Sequence, residues 1–362
     1  MQRRTADLVD LYAHEGPFTS VYVPMSAAIE DARQQLDIRL RDAQRSVTAA
    51  GGDPDLLERA ELTPSDHQSG GALALLGVGP EPVLVRPLAA VRPELARVDR
   101  LPVVAPLLED DQERVDHVVV LVDRTGAEIV TTVDGDEAQA EVSGDTEHLS
   151  RIRGGGWSHR RMQQRAENTW EHNAELVAGE VAEAAERSGA RLIFAAGDER
   201  ALGFLTDHLP DAAREILHVE PREPQGLADA FGAIEEALEA QMDTVVARDG
   251  AQLLQRFAEA RGRGEAADGA EATLRALNES RVEVLLVHDD LGEGPRAWFA
   301  PDEALAATSR DSLEDLDRRA VEGRLHDIAI RAALLTDAEV RIVPGAGPNA
   351  PAAGLGALLR WN

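Results

Sequence analysis

The residues best suited to chemistry lie together in one stretch, RIRGGGWSHRRMQQR (151–165). Three consecutive glycines, Gly154, Gly155 and Gly156, separate two groups of arginines, and none of the fifteen residues is acidic. Glycine opens backbone conformations that are closed to other residues, so this loop can lie very close to a ligand. The guanidinium groups bind phosphate through two parallel hydrogen bonds. The pattern predicts a loop presented to an anionic partner. The arginines are Arg151, Arg153, Arg160, Arg161 and Arg165.

The charge of this stretch contrasts with that of the whole chain. The 362 residues carry a formal net charge of −29, and residues 134–147 hold six acids and no base. A chain this acidic is not expected to coat nucleic acid over its whole surface, although a local basic contact remains open to it. We therefore expect one arginine-rich loop on the surface of an otherwise acidic protein.

Composition excludes several kinds of site. Every basic residue is Arg and no residue is Cys, so the chain lacks a catalytic lysine, a phosphate-loop lysine, disulfides, thiolate metal sites and cysteine nucleophiles. No stretch is long and apolar enough for a membrane span, and the N-terminus lacks the apolar region of a signal peptide. We expect a cytoplasmic protein without a cofactor or a metal, and without a DNA or membrane partner.

Periodicity and turn signals predict three α/β domains. The first, residues 1–112, has a strand at 18–25, a helix at 30–50, a strand pair at 71–79 and 82–88, and an acidic solvated connector at 109–113. The second, residues 113–262, has a hairpin at 116–133, the arginine-flanked loop, a long helix to about 188, strands at 191–197 and 216–220, and a helix from about 226. A linker at 261–269 precedes the third, residues 270–362, with helices at 272–280 and 311–336, strands at 282–288 and 340–344, and a glycine-rich close at 354–361.

The long helix after the loop has an apolar stripe at spacings of three and four residues, which predicts one buried face. Its members are Met162, Ala166, Trp170, Ala174, Val177, Val181 and Ala184. Ser158 precedes this stripe and suits a helix N-cap. The hairpin, loop and long helix therefore follow one another directly along the chain.

In this order the elements resemble the archaeal and eukaryotic class-I release factors and their relative Pelota, with the Balon-type ribosome hibernation factors among the bacterial members. The middle domains of this family pass from a hairpin through a loop of the form GGQSxxRF into a long helix. Here GGWSHRRM matches at Gly155, Gly156, Ser158 and Arg161, and Trp157 stands where release factors have the catalytic glutamine.

Further matches extend the resemblance over residues 114–362. LIFAAG (192–197) resembles the next strand of the family, NESRVEVLLVHDDL (278–291) resembles its "AVEKLLI-acid" strand, and GLGALLRW (354–361) resembles its closing "GIGAILRY". The first domain carries no such match. The resemblance implies an RNase H-like middle domain and a last domain built as an α-β-α sandwich.

The resemblance also implies a function on the ribosome. The family's loop enters the peptidyl-transferase centre, where the glutamine amide positions a water at the ester. Trp157 has no amide side chain; its indole offers one N–H donor and a large apolar face that stacks on bases. The resemblance therefore implies a non-hydrolytic hibernation or A-site-occupying stress factor. Its expected partners are ribosomal RNA and, through the third domain, elongation factor Tu.

Other interpretations of the same residues stay open. Gln163 or Gln164 could replace the missing amide, which would make the protein a peptidyl-tRNA ester hydrolase acting in rescue of stalled ribosomes. The stretch could instead be a plain connector in which Ser158 caps the helix and Trp157 packs on it. The acidity also suits a protein-interaction module without RNA contact. A nucleophile–base pair of Ser158 and His159 is a weaker interpretation, because adjacent side chains rarely point together and no orienting acid is evident. A metal site at Glu171, His172 and Glu175 is weaker than the interpretation of these residues as a solvated helix face.

Overall fold

The computed structural model describes residues 2–25, 32–60, 71–90, 92–122, 126–143, 157–222, 227–314 and 319–361. These residues form two compact units. Unit 1 combines residues 1–112 with residues 250–362, and unit 2 comprises residues 113–249. The three-domain division drawn from the sequence stays a prediction.

The helices are α1 Gln2–Leu11, α2 Ala32–Ala49, α3 Asp55–Arg59, α4 Ala105–Glu113, α5 Trp157–Ser188, α6 Glu199–His208, α7 Asp211–Glu215, α8 Leu227–Arg263, α9 Ala270–Asn278, α10 Asp311–Glu314 and α11 Leu325–Leu335. The strands are β1 Phe18–Pro24, β2 Ala72–Val78, β3 Glu81–Leu88, β4 Leu95–Asp99, β5 His117–Val122, β6 Gly126–Val133, β7 Asp136–Ser143, β8 Leu192–Gly197, β9 Leu217–Pro221, β10 Ala266–Asp268, β11 Val282–Val287, β12 Arg296–Phe299, β13 Ala306–Ala307, β14 Val321–Arg324, β15 Glu339–Ile342 and β16 Leu355–Leu359.

The N-terminal part of unit 1 is an antiparallel sheet in the order β3-β2-β1-β4. Successive residues of a strand point to opposite faces, and β1 follows this rule. Val21 and Val23 pack with α2 and α3, whereas Tyr22 joins the core on the other side. The predicted strand at 18–25, helix at 30–50 and strand pair at 71–79 and 82–88 are confirmed.

The prediction of a solvated connector at 109–113 was wrong, because these residues form the end of α4. Asp110 is only 1% exposed. Its Oδ1 accepts hydrogen bonds from the backbone N–H groups of Ala89, at 2.8 Å, and Ala90, at 3.3 Å. A buried carboxylate is stable where N–H donors replace water, so this acid serves the core and not the solvent.

The C-terminal part of unit 1 has a mixed sheet in the order β10-β16-β11-β15, with β11 and β15 parallel. Part of the segment 261–269 that was predicted as a linker is in fact β10, which pairs with β16. The predicted helix at 311–336 was wrong in its middle, since β14 lies between α10 and α11. β14 belongs to a small sheet in the order β13-β12-β14 that the sequence did not predict.

One apolar core joins the two parts of unit 1. Leu8 of α1 and Tyr22 of β1 belong to the same cluster of buried residues as Leu285 of β11 and Ile328 of α11. The Tyr22 hydroxyl donates to the carbonyl of Val103 at 2.6 Å, which satisfies its only donor inside this core. Residues from the two ends of the sequence thus form a single hydrophobic interior.

Unit 2 is a layered α/β domain on a sheet of order β7-β6-β5-β8-β9. β5, β6 and β7 form an antiparallel meander, whereas β5, β8 and β9 run parallel. One face, including Val120, packs with α5 and α6; the other, including Phe194, packs with α8. The hairpin predicted at 116–133 is confirmed. Asp198 is the N-cap of α6, and its side chain accepts hydrogen bonds from the backbone N–H groups of Arg200 and Ala201. This mixed α/β arrangement agrees with the fold class that the resemblance implies.

Among the described residues, no helix has the length and hydropathy needed to cross a membrane.

The shared core makes a prediction about Leu8, which is fully buried in α1. Leu8→Ala should lower the free energy of unfolding by about 2–5 kcal/mol, because it removes apolar contacts and leaves a cavity. It should also speed amide hydrogen exchange in α11, which packs in the same core. Leu205→Ala is the matched control, since Leu205 is equally buried but lies in unit 2. Unchanged exchange in α11 of the Leu8→Ala protein would contradict the shared core.

Candidate nucleic-acid interface

The arginine–glycine stretch lies between the edge strand of unit 2 and its longest described helix. β7 ends at Ser143 and α5 begins at Trp157. Arg151, Arg153, Gly154, Gly155 and Gly156 lie outside the described residues. The remaining predicted site residues form the backbone of the first turns of α5, and their side chains are also outside the described part: Trp157, Ser158, Arg160, Arg161, Gln163, Gln164 and Arg165.

Helix α5 is held to the sheet by its C-terminal half. Ala174, Val177 and Val181 are buried and Ala184 is partly buried, which confirms this part of the predicted stripe. An α-helix rises about 1.5 Å per residue, so the start of α5 at Trp157 lies about 25 Å along the axis from Ala174. The packed half of the helix therefore positions the distant half that carries the arginine sequence.

The start of α5 has the electrostatics of an anion site. The first four backbone N–H groups of a helix have no partner within it, and the helix dipole adds a partial positive charge at this end. Positions 157, 161 and 165 follow one another at intervals of four, so they share one row on the helix. The sequence thus puts one aromatic residue and two arginines on the row that begins where the helix attracts phosphate.

Residues 116–263 match a family model described as "Bacterial archaeo-eukaryotic release factor family 2". The match covers the hairpin, the segment leading into α5, and the helices and strands that follow through α8. The release-factor resemblance drawn from the sequence is therefore confirmed for residues 116–263.

Two relatives extend the similarity to nearly the full length. They are uncharacterized proteins of Mycobacterium tuberculosis, from strains CDC 1551 and H37Rv. Each is 28% identical over 377 residues, which covers 97% of this chain and 95% of the relative. The similarity thus extends over both parts of unit 1 as well as unit 2.

Solved structures of release-factor type also match, at low structural similarity. The archaeal translation termination factor aRF1 is 20% identical, over 99% of this chain and 98% of that one, with a TM-score of 0.27. Archaeoglobus fulgidus Pelota is 17% identical, over 70% of this chain and 66% of that one, with a TM-score of 0.38. A model of ribosome-bound archaeal Pelota and ABCE1 gives 16% identity, 99% and 94% coverage, and a TM-score of 0.41. At these TM-scores the solved structures carry no argument, and the release-factor resemblance rests on the sequence match of residues 116–263.

Sequence reasoning missed a buried group of charges in unit 1. Arg324, which ends β14, donates from Nη1 to both carboxylate oxygens of Asp327 at 3.0 Å. Its Nη2 donates to Asp289 Oδ1 at 2.6 Å, and His326 Nδ1 lies 3.7 Å from the same oxygen. All four side chains are buried. One guanidinium therefore binds two carboxylates that come from different elements.

The surroundings shift the two carboxyl groups in opposite directions. Burial opposes ionisation of Asp289, but the neighbouring His326 and the hydrogen bond and charge of Arg324 outweigh it and hold its pKa well below the usual value. Burial raises the pKa of Asp327 to about 7; the charge of Arg324 opposes this shift and that of Asp289 reinforces it. The two acids cannot both be fully compensated by a single cation.

A partial signal for this cluster was present in the sequence. Asp289 directly follows the VEVLLVH strand in the stretch that resembles the family's strand-plus-acid motif. Its cation is 35 residues away along the chain, and the region around Arg324 was predicted as helix. In the described part of the chain, no group of three or more His, Cys, Asp or Glu side chains is arranged to hold a metal ion.

The raised pKa of Asp327 predicts a pH dependence of stability. Its carboxyl group has a pKa of about 7 in the fold and a reference value of 3.8. Between these pH values the unfolded chain binds fewer protons, so the free energy of unfolding should fall as pH rises, by at most about 1.4 kcal/mol per pH unit. Asp289 acts oppositely, since its contribution is lost as pH falls through and below 3.8.

Amide hydrogen exchange of α11 at pH 5 and pH 7, corrected for intrinsic exchange rates, measures this effect. Asp327→Asn should remove most of the loss of protection between the two pH values, because the amide does not ionise. Asp290→Asn, at an exposed neighbour of Asp289, should retain the wild-type dependence. An identical pH response in Asp327→Asn and wild type would show that Asp327 does not titrate in this range.

Proposed function

We propose that this protein is a ribosome-associated factor that places the 151–165 loop in the A-site side of the peptidyl-transferase region without hydrolysing peptidyl-tRNA. In this role it acts as a hibernation or stress factor on idle ribosomes. The observation that carries the proposal is the release-factor family match of residues 116–263 together with the tryptophan at the position of the family's glutamine.

The charge distribution supports contact with ribosomal RNA. The five arginines of the loop stand in a stretch without a single acid, within a chain of net charge −29. Arginine–phosphate contacts fix the register of a protein on nucleic acid. The helix N-terminus at Trp157 adds backbone donors for the same kind of group. An acidic surface elsewhere limits binding to RNA outside the intended site.

Trp157 supports occupancy without cleavage. Release by this family's mechanism requires an amide that positions the attacking water, and the indole of Trp157 has one N–H donor and no acceptor. A base stacked on an aromatic ring gains about 1–3 kcal/mol. The same position that serves hydrolysis in release factors is therefore suited here to binding a terminal base. Elongation factor Tu stays an expected partner of the C-terminal residues.

Ribosome binding should depend on the paired arginines at the start of α5. Arg161→Glu combined with Arg165→Glu should abolish co-sedimentation with 70S ribosomes at low salt, because two phosphate contacts become repulsive. Wild-type binding should also fall steeply with salt, as displacement of counterions from RNA requires. Sedimentation with ribosomes from growing and starved cells measures both effects.

Arg187→Glu combined with Arg200→Glu is the matched control. Both arginines are exposed and lie in unit 2, and the change in net charge is the same. Equal loss in the two double variants would indicate a general charge effect and contradict the loop assignment. Failure of the wild-type protein to sediment with ribosomes at low salt would contradict the proposal.

The alternative of a hydrolase is tested by the ester itself. Ribosomes carrying peptidyl-tRNA in the P site should retain the peptide after incubation with the wild-type protein, because the loop lacks the amide. Trp157→Gln restores the family's residue and is the informative variant; release by this variant alone would support the proposal strongly. Release by the wild type that is lost in Gln163→Ala plus Gln164→Ala would establish the alternative instead.

A further inference from the structure

A small basic pocket lies in unit 1, outside the release-factor domain's loop. It has a volume of about 200 Å³ and lies between the end of α8 and the end of β16. Ala260, Leu358 and Leu359 contribute apolar surface to it. The charged and aromatic lining residues are Arg256, Arg263, Glu265, Arg360 and Trp361.

The arginines of this pocket are available to exchange partners. Arg256 pairs with Glu283 at 2.8 Å and Arg263 with Glu265 at 2.5 Å. All four of these side chains are more than 40% exposed. Solvent-exposed ion pairs contribute only about 0–1 kcal/mol, so a phosphate that accepts two hydrogen bonds from a guanidinium can displace the glutamates. The third arginine, Arg360, is exposed and donates to the carbonyl of Asp337.

Trp361 adds an aromatic surface beside these cations. Its side chain is 54% exposed, and among the described side chains it is the one large aromatic residue that is exposed. The exposed ring face is accessible to a ligand from solvent. Aromatic rings next to arginines bind single-stranded nucleic acid, because the ring stacks on a base while the guanidinium groups contact the adjoining phosphates.

We propose that this pocket binds one nucleotide of a single-stranded RNA, with the base stacked on Trp361 and the adjoining phosphates held by Arg256, Arg263 and Arg360. The volume is below the roughly 300–1,000 Å³ of sites that enclose a drug-sized ligand, which suits a single nucleotide that remains partly in solvent. The choice of RNA rests on the proposed function, but the site is separate from the 151–165 loop and forms a second contact.

Binding of a fluorescently labelled, unstructured RNA decamer, followed by anisotropy, tests the pocket. All proteins carry Arg161→Glu and Arg165→Glu, so that the loop does not contribute. Trp361→Ala should weaken binding by roughly 5- to 150-fold, the loss expected for one stacked base, whereas Trp361→Phe should retain most of the affinity. Arg263→Glu plus Arg360→Glu should weaken binding at low salt and reduce the slope of log K against log salt by about 1.4, for two phosphate contacts on a single strand.

Arg45→Glu plus Arg59→Glu is the control for the arginines. Both are exposed, ion-paired residues of unit 1 outside the pocket lining, and this variant should bind like its parent. The proposal is overturned if Trp361→Ala binds as tightly as the parent, or if the control pair costs as much as the pocket pair. Inorganic phosphate competing equally with the parent and with Trp361→Ala would indicate an anion site without base recognition, which also overturns it.

The outcome is independent of the ribosome experiment. If the protein does not sediment with ribosomes but binds the decamer through Trp361, the A-site proposal is contradicted and the pocket proposal is supported. A protein that binds ribosomes through Arg161 and Arg165 but shows no Trp361 dependence on the decamer keeps the A-site proposal and loses the pocket.

Discussion

The C-terminal part of unit 1 depends on one buried cation. Arg324 stands at the end of β14 and contacts Asp327 in the first turn of α11 and Asp289 just after β11. Removing one partner from such a buried group leaves an uncompensated charge, which typically costs about 3–5 kcal/mol. These hydrogen bonds join the β13-β12-β14 sheet to the end of strand β11 and to the first turn of helix α11. Arg97 of β4 donates to the carbonyls of Leu291 and Gly292 in the loop that follows Asp289, so the N-terminal sheet is joined to the same loop.

The connection between the two ends of the chain has a topological consequence. Residues 113–249 lie in sequence between two segments that share one core. Both ends of this inserted segment are connected to unit 1. The core of unit 1 forms only when residues more than a hundred positions apart in the sequence come into contact. Forming such long-range contacts requires closing a long loop, which costs entropy before any burial compensates for it. Unit 2 has its own layered core, so the burial of its apolar residues does not depend on that closure.

Local signals predicted most elements and failed where a tertiary contact decides. The strand at 18–25, the helix at 30–50 and the hairpin at 116–133 have apolar periodicities that specify one state each, and the structure has them. The acids at 109–113 were misread because charge suggests solvent, whereas the backbone partners of Asp110 lie 20 or more residues away in the sequence. The stretch around Arg324 was predicted as helix, whereas β14 pairs there with the distant strand β12. No single segment specifies which helix covers which face of a sheet. Local signals therefore did not predict the shared core of unit 1. The loop residues themselves were picked out by composition alone, because a run of arginine and glycine in an acidic chain is conspicuous without any fold.

The arginines of this chain occur in three kinds of surroundings, and the differences bear on how an acidic protein can bind RNA. Arg324 is enclosed by carboxylates and contributes to folding. The arginines of residues 151–165 have no acid within their own stretch, whereas Arg256 and Arg263 of the C-terminal pocket pair with exposed glutamates. A long-range negative field slows non-specific approach to RNA, and it is screened within about 8 Å at physiological ionic strength. Contacts closer than this are governed by the local guanidinium groups and by stacking. On the two proposals made above, an acidic protein with arginines beside aromatic residues binds RNA where its shape brings these groups together, and it is repelled from RNA elsewhere.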